Sequence, residues 1–244
     1  MKKRLFKKFI APLIDWIYPP RCLVCEKIAL FNGYLCHDCF FDLEIFGKAP
    51  HSFEGEDSII DEVSSLYKFN NVMKILIHNL KYNGCDYIGT FLGKQMGIYY
   101  KNTSFKDYEC IISIPLHRIK KDMRTYNQAE KIASELSNVL EIPMNIDLLK
   151  RAVFTETQTK LDQEGRKKNM KGAFKIIAKE EIPSSVILID DVFTTGATTS
   201  EAANTLKEVG VKKVGVLTAA TPFFLRHLKF VFEMDDSEEI DDEL

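Results

Sequence analysis

An uninterrupted apolar stretch that ends in two adjacent aspartates constrains the fold of this chain more than any other feature. Residues 186–189 are apolar at every position, which is typical of a strand buried on both faces of a sheet. Residues 197–209 have the pattern of a helix, with Thr198 and Glu201 as a predicted capping box. Residues 214–219 are apolar again. The order strand, helix, strand predicts a βαβ unit and therefore an α/β fold with a parallel sheet.

The carboxyl end of the first strand predicts a site for a phosphorylated ligand. Ligands of open parallel sheets lie beyond the carboxyl ends of the strands, and a helix N-terminus favours an anion. Asp190 and Asp191 would repel a phosphate, so we expect them to face sugar hydroxyls or a metal ion. A phosphate beside a diol indicates a phosphorylated ribose, and an ordinary turn with capping residues is the alternative. The predicted phosphate turn contains Thr194, Thr195, Gly196, Ala197 and Thr198.

These residues resemble a known motif. Residues 189–198, Ile-Asp-Asp-Val-Phe-Thr-Thr-Gly-Ala-Thr, resemble the phosphoribosyl pyrophosphate (PRPP) motif of type I phosphoribosyltransferases. The chain from about residue 13 to residue 220 resembles the ComF family, which is associated with competence. The resemblance implies a type I phosphoribosyltransferase-like parallel sheet flanked by helices, with a small N-terminal zinc-ribbon-like module. It also implies PRPP as the ligand, with Mg²⁺ bound through the pyrophosphate.

Four cysteines with paired spacing predict a metal site near the N-terminus. Two Cys-x-x-Cys pairs, separated by a short spacer, can aim four thiolates at one tetrahedral centre. Such a zinc has no open coordination position, so it would stabilise the fold. Two disulfides or four unrelated thiols are the alternatives; a cytoplasmic chain disfavours the first and the paired spacing disfavours the second. The predicted zinc ligands are Cys22, Cys25, Cys36 and Cys39.

A basic loop after a second buried strand is predicted to bind pyrophosphate. The strand covers residues 109–115, and the loop after it carries Arg118 and Arg124. Their order resembles the pyrophosphate loop of type I phosphoribosyltransferases, and a solvated basic loop is the alternative. Thr125 stands where most ComF relatives have glycine, a residue that suits unusual backbone conformations.

Two other segments are expected to add groups that bind the pyrophosphate. Lys81, at the end of a predicted helix over 72–80, belongs to a Lys-aromatic-x-Gly signature of ComF proteins, and a solvated lysine is the alternative. The polar segment 152–171 corresponds to the mobile loop of type I phosphoribosyltransferases, with Gln158 and Arg166 as its predicted ligand contacts. The resemblance implies displacement of pyrophosphate at the anomeric carbon; the predicted catalytic residues are Arg166, Asp190 and Asp191.

Length and composition predict one main domain with a small appendage. The chain has 244 residues, of which 45% are hydrophobic, so it can bury a substantial core. We expect four regions in chain order. They are a basic amphipathic helix plus the four-cysteine module over 1–45, a linker over 46–62, the phosphoribosyltransferase-like domain over 63–220, and a C-terminal extension with an acidic, disordered tail over 221–244.

Charge and hydropathy narrow the functional classes. The net charge is -2, so no global basic field favours nucleic acid, and no apolar run is long enough to span a bilayer. We expect a cytoplasmic protein whose basic N-terminus allows peripheral contact with the inner face of the membrane.

Three functions stay open at the level of sequence. The ComF resemblance implies a PRPP-binding protein that supports DNA uptake and transformation together with a helicase partner. The second is an active phosphoribosyltransferase that transfers ribose 5-phosphate to an unidentified nucleobase or amine. The third is an accessory protein that binds single-stranded DNA through the basic loop. A homodimer is expected because type I phosphoribosyltransferases are often dimers.

Overall fold

A five-stranded sheet forms the centre of the molecule. The computed structural model describes residues 19–29, 34–46, 51–52, 59–116, 124–152, 172–177 and 181–222. The strands of the sheet are β1 (His51–Ser52), β2 (Glu62–Lys68), β3 (Cys110–Ser113), β6 (Ser185–Val192) and β7 (Lys213–Thr221), in the order β1-β2-β7-β6-β3. A separate antiparallel pair consists of β4 (Leu149–Arg151) and β5 (Phe174–Ile176). The four strands β2, β7, β6 and β3 are parallel, and β1 adds an antiparallel edge.

The described part of the chain contains five α-helices. They are α1 (His37–Phe41), α2 (Asn71–Tyr82), α3 (Tyr87–Tyr100), α4 (Gln128–Leu140) and α5 (Ala197–Glu208), and a 3₁₀ turn covers Ser104–Asp107. Helix α5 connects β6 to β7, and these two strands are parallel neighbours. The predicted βαβ unit is therefore confirmed. The predicted helix over 72–80 and the predicted strand over 109–115 are also present, as α2 and β3, with ends shifted by one or two residues.

Strand β6 separates two apolar cores because its side chains alternate between the faces of the sheet. Ile187 and Ile189 lie in a core that includes residues of α2, α3 and α4. Val186 and Leu188 lie in a second core that includes residues of α5 and of the β4–β5 pair. All four side chains are fully buried. This burial on both faces is the reason that the strand is apolar at every position from Val186 to Ile189.

The start of α5 differs from the prediction. Gly196, with φ of 73°, is the N-cap residue, so Thr198 lies inside the first turn rather than at the cap. Glu201 does not complete a capping box; its Oε1 accepts a hydrogen bond from the backbone N–H of Gly172 at 2.5 Å. The predicted capping box was wrong because the left-handed glycine begins the helix two residues earlier. Gly172 lies just before β5, so this hydrogen bond connects the β4–β5 pair to the first half of α5.

The N-terminal cysteine module covers the β2 edge of the sheet. We call described residues 19–29 and 34–46 the zinc module. Its last residues continue along β2: Phe46 N donates to Leu66 O at 2.8 Å, and Lys68 N donates to Glu44 O at 2.9 Å. Three of its cysteines and Leu43 belong to the same core as α2 and α3. The module is therefore packed as part of the main core.

The domain boundaries predicted from sequence stay predictions. The segment 1–18, most of the predicted linker and the acidic tail lie outside the described residues. Among the helices that the structure describes, none is long and apolar enough to cross a membrane.

Helices α3 and α4 approach closely along a row of glycines. Gly89, Gly93 and Gly97 are spaced by four residues and so lie on one face of α3. A Cβ atom at Gly97 would lie 2.5 Å from Val139 Cβ, and one at Gly93 would overlap the carbonyl oxygen of Ile132. The row lets the two backbones come together, and nothing larger than hydrogen fits at its centre.

We expect Gly93→Ala to lower the free energy of unfolding by about 1–3 kcal/mol, because the methyl group must push α4 away from α3. Lys94→Ala, on the exposed side of the same turn, is the matched control and should change stability by less than about 0.5 kcal/mol. Urea unfolding followed by circular dichroism measures both. Equal stabilities of the two variants would contradict the close packing.

Candidate functional site

The two aspartates at the end of β6 point to opposite faces of the sheet. Asp191 is buried, and its Oδ2 lies 3.2 Å from Lys81 Nζ at the end of α2. Asp190 lies on the other face, towards Arg151 of β4, whose charge acts on the Asp190 carboxyl. The Asp190 Oδ1 atom accepts a hydrogen bond from the backbone N–H of Asp191 at 2.8 Å. Adjacent in sequence, the carboxylates thus have different partners.

Burial and charge act strongly on Asp190. Desolvation, followed by the nearby charge of Asp191, raises the pKa of Asp190 to about 7, while the backbone hydrogen bond and the charges of Lys81 and Arg151 act in the opposite direction. The Arg151 guanidinium lies 5.6 Å from the centre of the Phe174 ring, and burial lowers its pKa. A carboxyl with this pKa gains or loses a proton near neutrality, which is typical of functional sites.

The turn after β6 is fixed at both of its ends. Phe193 N donates to Ala220 O at 2.9 Å, and Thr221 Oγ1 donates to Phe193 O at 3.0 Å, so β7 holds the start of the turn. At the other end, Thr199 Oγ1 donates to Gly196 O at 2.9 Å. A side chain at Gly196 would lie 2.8 Å from a ring carbon of Phe193 and would need a left-handed backbone. The glycine is therefore required here.

The predicted phosphate turn has the features that an anion needs. It opens the twelve-residue helix α5, and Gly196 as N-cap provides no side-chain hydrogen bond to the N–H groups of the first turn. Thr194 is exposed, and Thr195 and Thr198 are partly exposed. Thr195 Oγ1 accepts only a long hydrogen bond, 3.4 Å, from Ala197 N. These groups lie beside the carboxyl end of a central parallel strand, where the sequence predicted a ligand.

Two of the predicted cations meet at the end of α2. Lys81 pairs with Asp191, and Arg124 contacts the neighbouring residue Tyr82. Arg124 Nη2 donates to the Tyr82 hydroxyl at 3.2 Å, and its Cζ lies 5.0 Å from the centre of the Tyr82 ring. Arg124 Nη1 also donates to Gln128 Oε1 at 3.3 Å. Lys81 and Arg124 therefore lie in one region, and each of them contacts another side chain.

The start of α4 is locked to the end of β3. Asn127 is buried; its Nδ2 donates to Ile114 O at 3.0 Å, and its Oδ1 accepts from Ala129 N at 3.1 Å. Two positions earlier, Thr125 has φ of 64°, the left-handed region that favours glycine. The backbone thus keeps a glycine-like conformation with threonine in place. Both features fix the position of Arg124 relative to the sheet.

Three of the predicted contacts, Arg118, Gln158 and Arg166, lie outside the described residues and stay predictions. Conversely, the structure adds groups to which sequence reasoning gave no role. They are Tyr82, Gln128 and Arg151. Tyr82 is the aromatic residue of the Lys-aromatic-x-Gly signature, but only the fold shows that Tyr82 and Gln128 contact Arg124.

The four cysteines of the zinc module form a second site. The Sγ atoms of Cys22, Cys25, Cys36 and Cys39 all lie within 4.8 Å of one another. The Sγ atoms of Cys25 and Cys36 are 3.5 Å apart, too far for a disulfide and close to the sulfur–sulfur distance of about 3.8 Å in a tetrahedral zinc–thiolate site. Cys39 N donates to Cys36 Sγ at 3.5 Å, as expected for a thiolate-binding knuckle. The arrangement fits a structural zinc ion.

Comparison with known families supports this metal site. Residues 13–51 match the double zinc ribbon domain. The match supports the predicted structural zinc, and the four cysteines are free thiols with no disulfide among the described residues.

Relatives that match most of the chain show its family. Over 208 residues the chain is 30% identical to the DNA utilization protein YhgH of Shigella flexneri, covering 80% of this chain and 87% of the relative. The chain belongs to the ComF family. Competence protein F of Haemophilus influenzae is 29% identical over 80% of this chain and 87% of its own length. Competence protein ComFC of Streptococcus pneumoniae is 26% identical, over 80% and 96%.

Solved structures of phosphoribosyltransferases overlap this ComF protein in part. Hypoxanthine phosphoribosyltransferase from Staphylococcus aureus is 16% identical, with a TM-score of 0.35, over 56% of this chain and 64% of that chain. Adenine phosphoribosyltransferase from Leishmania donovani is 14% identical, with a TM-score of 0.38, over 73% and 81%. The predicted fold class, a type I phosphoribosyltransferase-like parallel sheet with an N-terminal zinc module, is confirmed by family membership together with the sheet itself.

Loss of the metal should destabilise the whole protein, because the ligands belong to the main core. We expect about one zinc per chain in the wild type, and Cys39→Ser should lower both the zinc content and the melting temperature. Cys85→Ser, at a half-buried cysteine outside the cluster, should change neither. Elemental analysis and thermal unfolding measure the two quantities. A folded wild type free of metal would contradict a structural zinc.

The raised pKa of Asp190 predicts a pH-dependent stability. The native state holds this proton more tightly than the unfolded chain does, so the stabilisation is complete below the ordinary carboxyl pKa and is lost as pH rises through about 7. Asp190→Asn mimics the protonated form. Its advantage over wild type should therefore grow by about 1–2 kcal/mol between about pH 5.5 and about pH 8 in urea unfolding.

Asp107→Asn, at an exposed aspartate, is the control for this titration. The growth of the difference with pH should be larger for Asp190→Asn than for this exposed position. An Asp190→Asn advantage that does not change with pH would contradict the raised pKa of Asp190.

Proposed function

We propose that this ComF protein binds PRPP at the carboxyl end of β6 and that this binding serves a role in DNA uptake. One observation carries the proposal. Asp190 and Asp191 end a central parallel strand directly before a glycine-capped helix N-terminus, so carboxylates and anion-binding N–H groups lie side by side. A ligand that satisfies both needs a phosphate next to a diol, and phosphorylated ribose has this chemistry.

Each part of the site takes one part of the ligand. The turn before α5 together with the first residues of the helix, Thr194 to Thr198, binds the 5-phosphate through backbone N–H and hydroxyl groups. The carboxylate of Asp190 or Asp191 accepts hydrogen bonds from the ribose hydroxyls. Because the two side chains point to opposite faces, only one of them reaches the ribose directly, and the other orients the surrounding residues.

The cations of the site bind the pyrophosphate group. Arg124 binds its oxygens, and Lys81 lies at the same end of α2, where a highly charged ligand competes with Asp191 for its ammonium group. Arg118, Gln158 and Arg166 are proposed contacts from the preceding loop and from the segment that resembles a lid. Mg²⁺ bound with PRPP would neutralise part of the pyrophosphate charge, since it prefers phosphate oxygens with few carboxylates.

The DNA role rests on the relatives' names. Proteins named for competence and for DNA utilization share the length of this chain that holds the site. We place the chain in the same process, with a helicase partner, single-stranded DNA and a second copy of the chain as proposed partners. PRPP is then either a regulatory ligand or a donor.

Binding and transfer are separable. In a transfer reaction, the acceptor nucleophile forms a bond to the anomeric carbon while the bond to pyrophosphate oxygen breaks, and pyrophosphate leaves. Arg166, Asp190 and Asp191 would act by positioning and by stabilising the charges that develop. Pyrophosphate release from PRPP with a panel of nucleobases and amines tests this activity. Binding without release for any acceptor would favour a regulatory role.

The double variant Asp190→Ala plus Asp191→Ala should weaken PRPP binding at least about tenfold, because the ribose hydroxyls lose their charged acceptor. Isothermal titration calorimetry with Mg²⁺ present measures the dissociation constant. The control is Asp107→Ala plus Asp147→Ala, which also removes two carboxylates, both of them exposed and without a proposed contact with the ligand. Undiminished binding by the Asp190/Asp191 variant would refute the site.

A further inference from the structure

The two cations at the end of α2 have contrasting partners. Lys81 is paired with the carboxylate of Asp191 at 3.2 Å. Arg124 contacts only neutral groups among the residues described here: the Tyr82 hydroxyl, the Tyr82 ring and the Gln128 carboxamide oxygen. No described carboxylate forms an ion pair with it. Its orientation is thus fixed from two sides, while within the described part of the chain no carboxylate compensates its charge.

A neutral acceptor at position 128 affects Arg124 differently from a charged one. A glutamate at position 128 would hold the guanidinium more strongly but would cancel its charge. Glutamine supplies a carboxamide oxygen as an acceptor without a negative charge, but burying its amide group costs stability. Gln128 is 1% exposed, and within the described chain its Nε2 has no hydrogen-bond partner. An unsatisfied buried amide destabilises the fold, so a leucine of similar size would be the better core residue.

Tyr82 is likewise held by its neighbours. The residue is 59% exposed, but Arg124 Cζ lies 5.0 Å from the centre of its ring, and the centre of the His78 ring lies 5.1 Å from the same point. Successive helix residues point about 100° apart, so Lys81 and Tyr82 reach different partners from the same turn. Lys81 extends to the end of β6, and Tyr82 extends to the start of α4. The last turn of α2 therefore joins the carboxylate part of the site to the cationic part.

We propose that Tyr82 and Gln128 are positioning residues that hold Arg124 through neutral acceptors and keep its charge available for the pyrophosphate group of the ligand. The inference rests on the proposed PRPP site. Two hydrogen bonds occupy one donor on each terminal nitrogen, and the guanidinium keeps three of its five N–H donors for an anion. Fixing the arginine in advance lowers the entropy lost when the anion binds.

The test compares two ligands that differ in the group that Arg124 is proposed to bind. Affinities for PRPP and for ribose 5-phosphate, both with Mg²⁺, are measured by calorimetry on the full chain. Tyr82→Phe removes only the hydroxyl and should weaken PRPP binding about threefold to tenfold. Tyr82→Leu also removes the ring and should weaken it further. Binding of ribose 5-phosphate should change less than about twofold in both variants.

Gln128 is tested by a matched pair. Gln128→Glu places a carboxylate on Arg124 and should weaken PRPP binding at least about tenfold, whereas Gln128→Leu should weaken it less. Phe41→Leu, at an aromatic that is 69% exposed in the zinc module, is the control and should leave both affinities unchanged. The exposed Tyr82 variants decide the outcome if the buried substitutions prevent folding.

The outcomes separate the two proposals. A wild-type chain that binds neither ligand overturns the proposed function itself. A wild type that binds PRPP, with Tyr82→Phe and Tyr82→Leu binding it equally well, overturns the positioning role. A parallel loss of both ligands in the Tyr82 variants also overturns it, because it indicates a general structural effect. A selective loss of PRPP affinity supports the inference.

Discussion

Burial of β6 on both faces of the sheet is the constraint on which the rest of the structure depends. Residues 186–189 pack into two separate cores, so the strand must have neighbours on both edges and layers on both faces. Polar groups are admitted only where the strand leaves the core, and there Asp190 and Asp191 necessarily point apart. One carboxylate meets the layer of α2, and the other meets the layer of β4. The same alternation that builds the core thus divides the site into two halves.

The charges at the site are balanced unevenly. Asp191 is neutralised by Lys81, the desolvated Asp190 carboxyl has a pKa near neutrality, and Arg124 is held by neutral acceptors. Such an arrangement favours a ligand that brings negative charge to Arg124 and hydroxyls to the carboxylates. Both aspartates lie on β6, whereas Lys81 lies on α2 and Arg124 lies just before α4, so the packing of these helices against the sheet sets the geometry of the site.

The zinc module packs against the sheet, and its last residues cover the edge of β2. The edge of β2 would otherwise present unpaired backbone groups, and an exposed edge invites pairing with other chains. Phe46 and β1 pair with this edge, while Tyr34 contacts Tyr87 and Phe91 on α3 with ring centres 5.3 Å apart. Because the cysteines share a core with α2 and α3, we expect metal binding in the module to stabilise the layer that carries Lys81. The spacing of the cysteines predicted the metal but not this packing.

The sequence by itself determined the βαβ unit, the turn between β6 and α5, the four-cysteine cluster and the family, because each depends on local order or on a short motif. It did not determine that α5 begins at a left-handed Gly196, that Lys81 pairs with Asp191, or that Tyr82 and Gln128 hold Arg124. These contacts join residues up to 110 positions apart (Lys81 to Asp191), and helical or strand periodicity carries no information about partners at that separation. Only the packing of α2 and α4 against the end of β6 decided them, since side-chain direction and distance are fixed by tertiary structure.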